Sequence, residues 1–378
     1  MAETRKTLAL TLNITDNWIG GTYYIMNLIR ALNTLPGDQK PRIVILSPEP
    51  HALEYTRKET GYPFLHFIRT IYSYTHIKGA INRLLKKKIF IKEIGEPVDV
   101  LFPAVDTLHV TRAGKKVYWI PDFQEHYFSS FFSEEELTKR RQQQEFIARQ
   151  DHLVLSSRDA KKDFEKFYPQ HTCRVHVMPF AVSNPDISGI DATAVLSKYN
   201  IGPGYFFIAN QFWVHKNHVV VLEAIHKLKK EGYNFQFVFS GKTNDYRSAG
   251  HFEMLTQKVN EWGIGEQVRF LGFIDRVDQL VLMKNAVSII QPSLFEGWGT
   301  VVEDAKSMQQ HIIASDIDVH KEQLAAYPHL LFEKSNSNDL AEKIKEMKAL
   351  YGSPVDYDYR GDIRAFADNA MKVLFGNN

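Results

Sequence analysis

The sequence predicts an α/β protein built as two doubly wound domains, each a parallel sheet with helices on both faces, facing one another across a cleft. Three observations predict it. Short apolar, β-branched runs alternate with longer amphipathic stretches almost from end to end. Most of the runs are apolar at successive positions, as strands buried on both faces are. At 378 residues the chain exceeds what one ordinary core organises, so two domains are expected.

The runs can be read in order. Residues 8–12 form a first strand, and Gly20-Gly21 then open a helix whose apolar positions Ile25, Leu28, Ile29 and Leu32 have helical spacing. RIVIL (42–46), VDVLF (98–102), KVYWI (116–120), DHLVLS (151–156) and residues 174–178 complete a first set of strands. The pattern breaks in PFAVSNPDISG and again in GPG, which reads as a linker. A second set follows: YFFIA (205–209), FQFVF (235–239), VRFL (268–271), VSIIQ (287–291) and HIIA (311–314). Helices are expected over 217–231 and 338–350, and an amphipathic stretch covers 360–374. The expected division is therefore 1–182, a linker 183–203, 204–358, and a C-terminal helix 359–378 packing back on the first domain.

Composition narrows the classes. Charged residues at 24% and hydrophobic residues at 44% exclude long disorder. Lys+Arg 46 against Asp+Glu 44 leaves a formal charge of +2, which argues against a general nucleic-acid binder. The single cysteine, Cys173, excludes an internal disulfide and a multi-cysteine metal site and suits a reducing cytoplasm. The opening residues are charged and then alternate, unlike a signal peptide, and no run approaches the ~20 apolar residues of a membrane span. The expected location is the cytoplasm.

Several motifs are decoys. Ser240-Gly241-Lys242-Thr243 follows a strand like the end of a phosphate-binding P-loop, but Gln236 stands where that loop needs its first glycine. No G-x-G-x-x-G follows the first strand, so a dinucleotide cofactor is not expected. His215 and His218 lack a third ligand at metal spacing, and Asp316-Ile317-Asp318 suits a helix cap better than a metal. The run from Pro292 to Ala305 differs. It leaves a strand, turns through Gly297 and Gly299, and enters a helix, so backbone can approach a ligand closely and free amides face an anion. Glu296 stands just before those amides, placed to accept hydrogen bonds from sugar hydroxyls.

With Gly272-Phe273 before it and Ala314-Ser315-Asp316 and Glu322 after it, this run resembles the donor-site signature of GT-B glycosyltransferases of family GT4, which are retaining, metal-independent enzymes using nucleotide-diphosphate sugars. In the signature E-G-F-G-x-P-x-x-E-A, Glu296, Gly297 and Gly299 match, Trp298 replaces Phe, Val301 replaces Pro, and the second acid falls on Asp304. The resemblance implies that Glu296 orients the donor sugar, that 297–300 (Gly297, Trp298, Gly299, Thr300) meet the diphosphate, and that Asp304 holds the ribose. Around residues 209–217 it places Lys216 on the phosphate-binding lysine, with Gln211 where arginine is usual. It also puts Ser240, Phe273 and Ile274 around the nucleotide, and Gly20 and Gly21 on the N-terminal glycine loop near the donor phosphates. Asp122 aligns with the Asp of a His-Asp pair whose His position is Pro121, leaving His126 to supply the imidazole. Catalytic roles thus fall on Glu296, Lys216, His126 and Asp122, with no metal and no cofactor besides the donor.

The implied activity is transfer of a sugar from a GDP- or UDP-linked donor to a glycan or lipid-linked acceptor, in bacterial surface polysaccharide synthesis. Two alternatives stay open, a nucleotide-sugar epimerase on the same fold and a non-catalytic partner subunit. A further stretch, 62–92, mixes aromatic and basic residues. It reads either as a core helix with a solvated basic face or as a peripheral membrane contact.

Overall fold

A computed structural model describes residues 5–14, 19–87, 89–105, 110, 112–245 and 247–376. The chain divides into two compact units, Met1–Asp122 with Thr138–Ser183 and Arg360–Asn378, and Phe123–Leu137 with Asn184–Tyr359.

The first unit holds β1 (Thr7–Thr11), β2 (Arg42–Ser47), β3 (Leu65–Arg69), β4 (Val98–Phe102), β5 (Ala113–Ile120), β6 (His152–Leu155) and β7 (Arg174–Val177). They form one parallel sheet in the order β3-β2-β1-β4-β5-β6-β7. Gly20 and Gly21 lie in the first turn of the helix Ile19–Asn33, whose Tyr24 stacks on Trp119 at 4.3 Å and meets Phe180 and Phe366 edge-on or tilted. The C-terminal residues join this unit: Lys115 Nζ donates to Val373 O and Asn369 Nδ2 to Val177 O.

The second unit holds β8 (Tyr205–Ala209), β9 (Gln236–Ser240), β10 (Val268–Phe270), β11 (Ser288–Gln291), β12 (Ile312–Ser315) and β13 (Leu330–Phe332). All pair in parallel, in the order β10-β9-β8-β11-β12-β13. The period of two along YFFIA explains why this strand sits at the centre. Phe206 and Ile208 pack on one face with Phe237, Phe239 and the helices His218–Lys230 and Ser337–Ala349. Tyr205, Phe207 and Ala209 pack on the other with Val238, Ile289 and the helix Arg276–Asn285. Every residue of β8 is buried, and burying each of its two phenylalanines contributes about 1.5–3 kcal/mol.

Two stretches differ from their sequence reading. Of the linker read over 183–203, all but Ser183 folds into the second unit: the helix Ala192–Lys198 places Val195 in its core, and Lys198 pairs with Asp278 at 2.6 Å. The core-helix expectation for 62–92 is overturned. Leu65–Arg69 is instead the edge strand β3, and only Ile77–Leu84 is helical, with Gly79 its single buried residue. The apolar residues around His66 (Leu65, Phe67, Ile68) belong to this short strand, of which only Leu65 is buried.

Candidate active site

In each sheet the strand order reverses direction between two central strands, β1 and β4 in one and β8 and β11 in the other. In open parallel sheets the carboxyl ends of such a pair are where ligands bind, because the loops leave in opposite directions and open a crevice. In the second unit both loops carry a charge. After β8 the chain makes the turn Val214–Lys216, and after β11 it runs through residues 292–299 into the helix Thr300–Ser307. The loops are tied together where Leu294 N donates to His215 O at 2.8 Å.

Lys216 Nζ and Glu296 Oε1 meet at 2.5 Å across that switch point, both largely shielded from solvent. Glu296 is held by more than the lysine. Ser293 Oγ donates to it at 2.7 Å and Gln291 Nε2 at 2.8 Å, while Gln291 Oε1 accepts from Asn210 Nδ2 at 2.9 Å. A polar chain therefore runs from the end of β8 through the last residue of β11 to the carboxylate. Burial pushes the Glu296 carboxyl up, but the charge and hydrogen bond of Lys216, with His320 and Ser293, outweigh it and hold the group below the usual carboxylate range.

His320, in the helix Asp318–Gln323 that follows β12, feels the charges of both members of this pair. Its Nδ1 lies 2.9 Å from Ser315 O, an acceptor, so Nδ1 carries the proton and Nε2 keeps its lone pair. Nε2 is buried with no hydrogen-bond partner among the described residues. Burial pushes the imidazole down to about 4, against the pull of Glu296, so the ring is neutral at neutral pH. The neighbouring His215 is held well below its ordinary value by burial and by the charges of Lys216 and Arg247.

The glycines and acids of the run take separate roles. Gly299 N–H donates to Gln323 Oε1 at 3.2 Å and Gly299 O accepts from Gln323 Nε2 at 2.8 Å, so this amide is already committed. The first-turn amides beyond it, at Thr300, Val301 and Val302, are those a helix leaves without an internal acceptor. Glu303 turns inward to Gln323, Lys306 and Tyr359. Asp304 is buried and bonded through Oδ1 to Arg276 Nη2 at 2.5 Å and to Asn184 Nδ2 at 3.0 Å. Trp298 is half-buried, and Gln211 lies at the β8 corner, where its carbonyl accepts from Trp213 N.

Ser240 closes β9 with its hydroxyl buried and unpartnered among the described residues, and Gly241 follows at φ 154°. A Cβ there would stand 2.1 Å from Asn210 O, so only glycine lets the β9 corner pass the β8 corner. After β10, Phe273 is 68% exposed while Ile274 packs on the core.

A segment from the first half of the chain belongs to this unit. Phe123–Leu137 lays Tyr127 and Phe128 against Phe295, with ring centres 5.5 and 6.3 Å away, and Phe131 against His215 at 6.4 Å. Phe295 and His215 immediately precede Glu296 and Lys216, so this strap touches both arms of the ion pair. Arg247 fastens it, donating to Gln124 Oε1 at 3.1 Å while its guanidinium lies 4.4 Å over Trp213. His126 rides on the strap, half-buried, 3.9 Å from Glu125.

Lys216, Glu296, Gln211, Ser240, Phe273, Ile274, His126, Asp304 and the 297–300 turn all lie in the second unit, where Lys216 and Glu296 touch directly. Gly20, Gly21 and Asp122 belong to the first. Gln291, Ser293, His320, Arg247 and Arg276 are additions. Only Gln291 left a signal in the sequence, a polar residue closing an otherwise apolar strand.

Comparison with known proteins fits this geometry. Residues 197–362 match the family model Glycosyl transferases group 1. That stretch is similar to group 1 glycosyltransferases and includes every element bearing Lys216, Glu296, Asp304 and His320. No curated protein sequence matches the chain. Among solved structures, a glycosyltransferase from Rickettsia africae superposes with a TM-score of 0.64 at 15% identity, covering 99% of this chain and 96% of that one. HepE from Anabaena, solved in complex with UDP and glucose, gives 0.59 at 14%, covering 98% and 94%. WaaG, described as a glycosyltransferase involved in lipopolysaccharide biosynthesis, gives 0.60 at 15%, covering 98% and 100%. The fold is GT-B, with two parallel sheets of seven and six strands.

Proposed function

We propose that the chain is a glycosyltransferase that moves a sugar, with retention, from a GDP- or UDP-linked donor to a glycan or lipid-linked acceptor in bacterial surface polysaccharide synthesis, without a metal ion. The observation that carries the reading is the Lys216–Glu296 pair at the β8/β11 switch point, above a helix start. HepE, with the same fold, was solved with UDP, which supports a nucleotide-diphosphate donor.

The residues divide the work. An arriving diphosphate competes with Glu296 for the ammonium of Lys216, and the first-turn amides of Thr300–Ser307 add partial positive charge. Glu296, released from the lysine yet still held by Ser293 and Gln291, accepts hydrogen bonds from the sugar hydroxyls. The ribose is met by the Arg276–Asp304 pair, and the base lies along Phe273 and Ile274. Charge develops on the departing diphosphate as the glycosidic bond breaks, and preorganised donors there stabilise the transition state more than the ground state. His126 on the strap and Asp122 position sugar or acceptor.

The test is turnover with a panel of GDP- and UDP-sugars in the presence of chelator. Glycosyl product with the anomeric configuration retained is expected. An epimerised sugar from donor alone, or activity that needs added manganese, would contradict the reading.

A further inference from the structure

The first unit carries a surface that its fold does not explain. From Thr60 to Lys92 the sequence has seven Lys or Arg and no Asp or Glu, in a chain of nearly balanced charge. Five of the twelve exposed large apolar side chains among the described residues fall in its middle: Tyr74, Ile77, Leu84, Leu85 and Ile89, from 49% to 81% exposed. Apolar residues on a short helix normally face the core, but here the helix Ile77–Leu84 is seated by Gly79. A Cβ at that position would lie 1.9 Å from Ser73 O. The glycine lets the helix backbone press on the chain beneath, while Ile77 and Leu84 point outward.

The loop that follows is pinned. Asn82 Nδ2 donates to Phe90 O at 2.8 Å and Asn82 Oδ1 accepts from Phe90 N at 2.9 Å, tying residues 83–87 and 89 into a clip. Leu84, Leu85 and Ile89 stand on it among Arg83, Lys86 and Lys87. Ordering of the loop before contact removes part of the entropy lost on docking.

We propose that this clip and the helix before it form a docking surface for an anionic phospholipid membrane. Exposed leucine and isoleucine suit insertion at the acyl boundary, and an acid-free basic rim suits phosphate headgroups. A nucleic acid would use the charges but leave the leucines in water. Joined to the glycosyl-transfer reading, and resting on it for this clause alone, the surface selects the lipid-linked acceptor over a soluble glycan.

Cosedimentation of the full chain, without donor, with phosphatidylcholine vesicles and with vesicles also containing phosphatidylglycerol tests the proposal. Binding to the anionic vesicles and not the neutral ones is expected, weakening as salt is raised. Leu84→Ser/Leu85→Ser and Lys86→Glu/Lys87→Glu should each weaken it by about tenfold or more. Both pairs are exposed, and circular dichroism and nucleotide binding, expected unchanged, show that the variants fold. Equal binding to neutral vesicles, no binding to either, an undiminished Leu84→Ser/Leu85→Ser variant, or retention by nucleic acid alone would overturn it. So would a dimer in sedimentation velocity that the leucine variant abolishes. Because the donor is absent, failure here leaves the glycosyl-transfer reading standing.

Discussion

The two sheets of this protein share the same order through six strands, 3-2-1-4-5-6, and differ in what their side chains do around it. In the first unit the helix after β1 turns an aromatic side chain inward, and Tyr24 is buried among Trp119, Phe180, Phe102 and Phe366. In the second unit the residue after the corner of β8 is a lysine, and it meets a carboxylate from the corner of β11. A shared backbone plan therefore supports packing at one place and charge at another, and chemistry follows the side chains rather than the topology.

Substitutions should separate these roles. Tyr24→Ala removes a fully buried ring and is expected to lower unfolding stability by about 3–5 kcal/mol, read by denaturant titration. If stability is unchanged, the aromatic cluster is not what holds the first unit. Lys216→Ala and Glu296→Gln should do the reverse, lowering transfer by about 10²–10³-fold with circular dichroism unchanged. Turnover near wild type from either would remove the pair from the chemistry.

The buried histidines should make stability depend on pH. His320, pushed from 6.5 to about 4, binds a proton more readily unfolded than folded. Its contribution is present above pH 6.5 and is lost as pH falls toward 4, by on the order of 3 kcal/mol. His218, pushed down to about 3 by burial, acts in the same direction. A denaturation midpoint that is flat from pH 7 to about 4 would contradict this sign. Gly241→Ala should cost about 2–3 kcal/mol, since its Cβ meets backbone rather than a movable side chain. The smallest effect is expected at the strap: Phe128→Ala should raise KM for the donor about threefold through looser packing on Phe295, with stability little changed.

The legible part of the molecule is the part where local pattern and tertiary role agree. YFFIA and VSIIQ read as buried strands because every position is apolar or closes the strand, and both are central. The Glu296 run was legible because strand, glycine turn and helix follow one another without interruption, whereas Lys216 was reached only through the family resemblance. What escaped depends on contacts distant in sequence. Asp304 is engaged by Arg276, 28 residues away, and by Asn184. Gly299 is engaged by Gln323, and Phe295 by residues of the strap more than 150 positions earlier. The core-helix reading of 62–92 fails because an edge strand, β3, adjoins a helix with its apolar side outward, contrary to the rule that apolar faces turn inward.

Isothermal titration calorimetry of UDP and GDP against the wild-type chain and Lys216→Ala tests the central claim most directly. One of the two nucleotides is expected to bind the wild type, and the substitution to weaken it by about tenfold or more, since a charge-assisted phosphate contact is lost. Binding of neither nucleotide, or equal affinity in the two proteins, would contradict it.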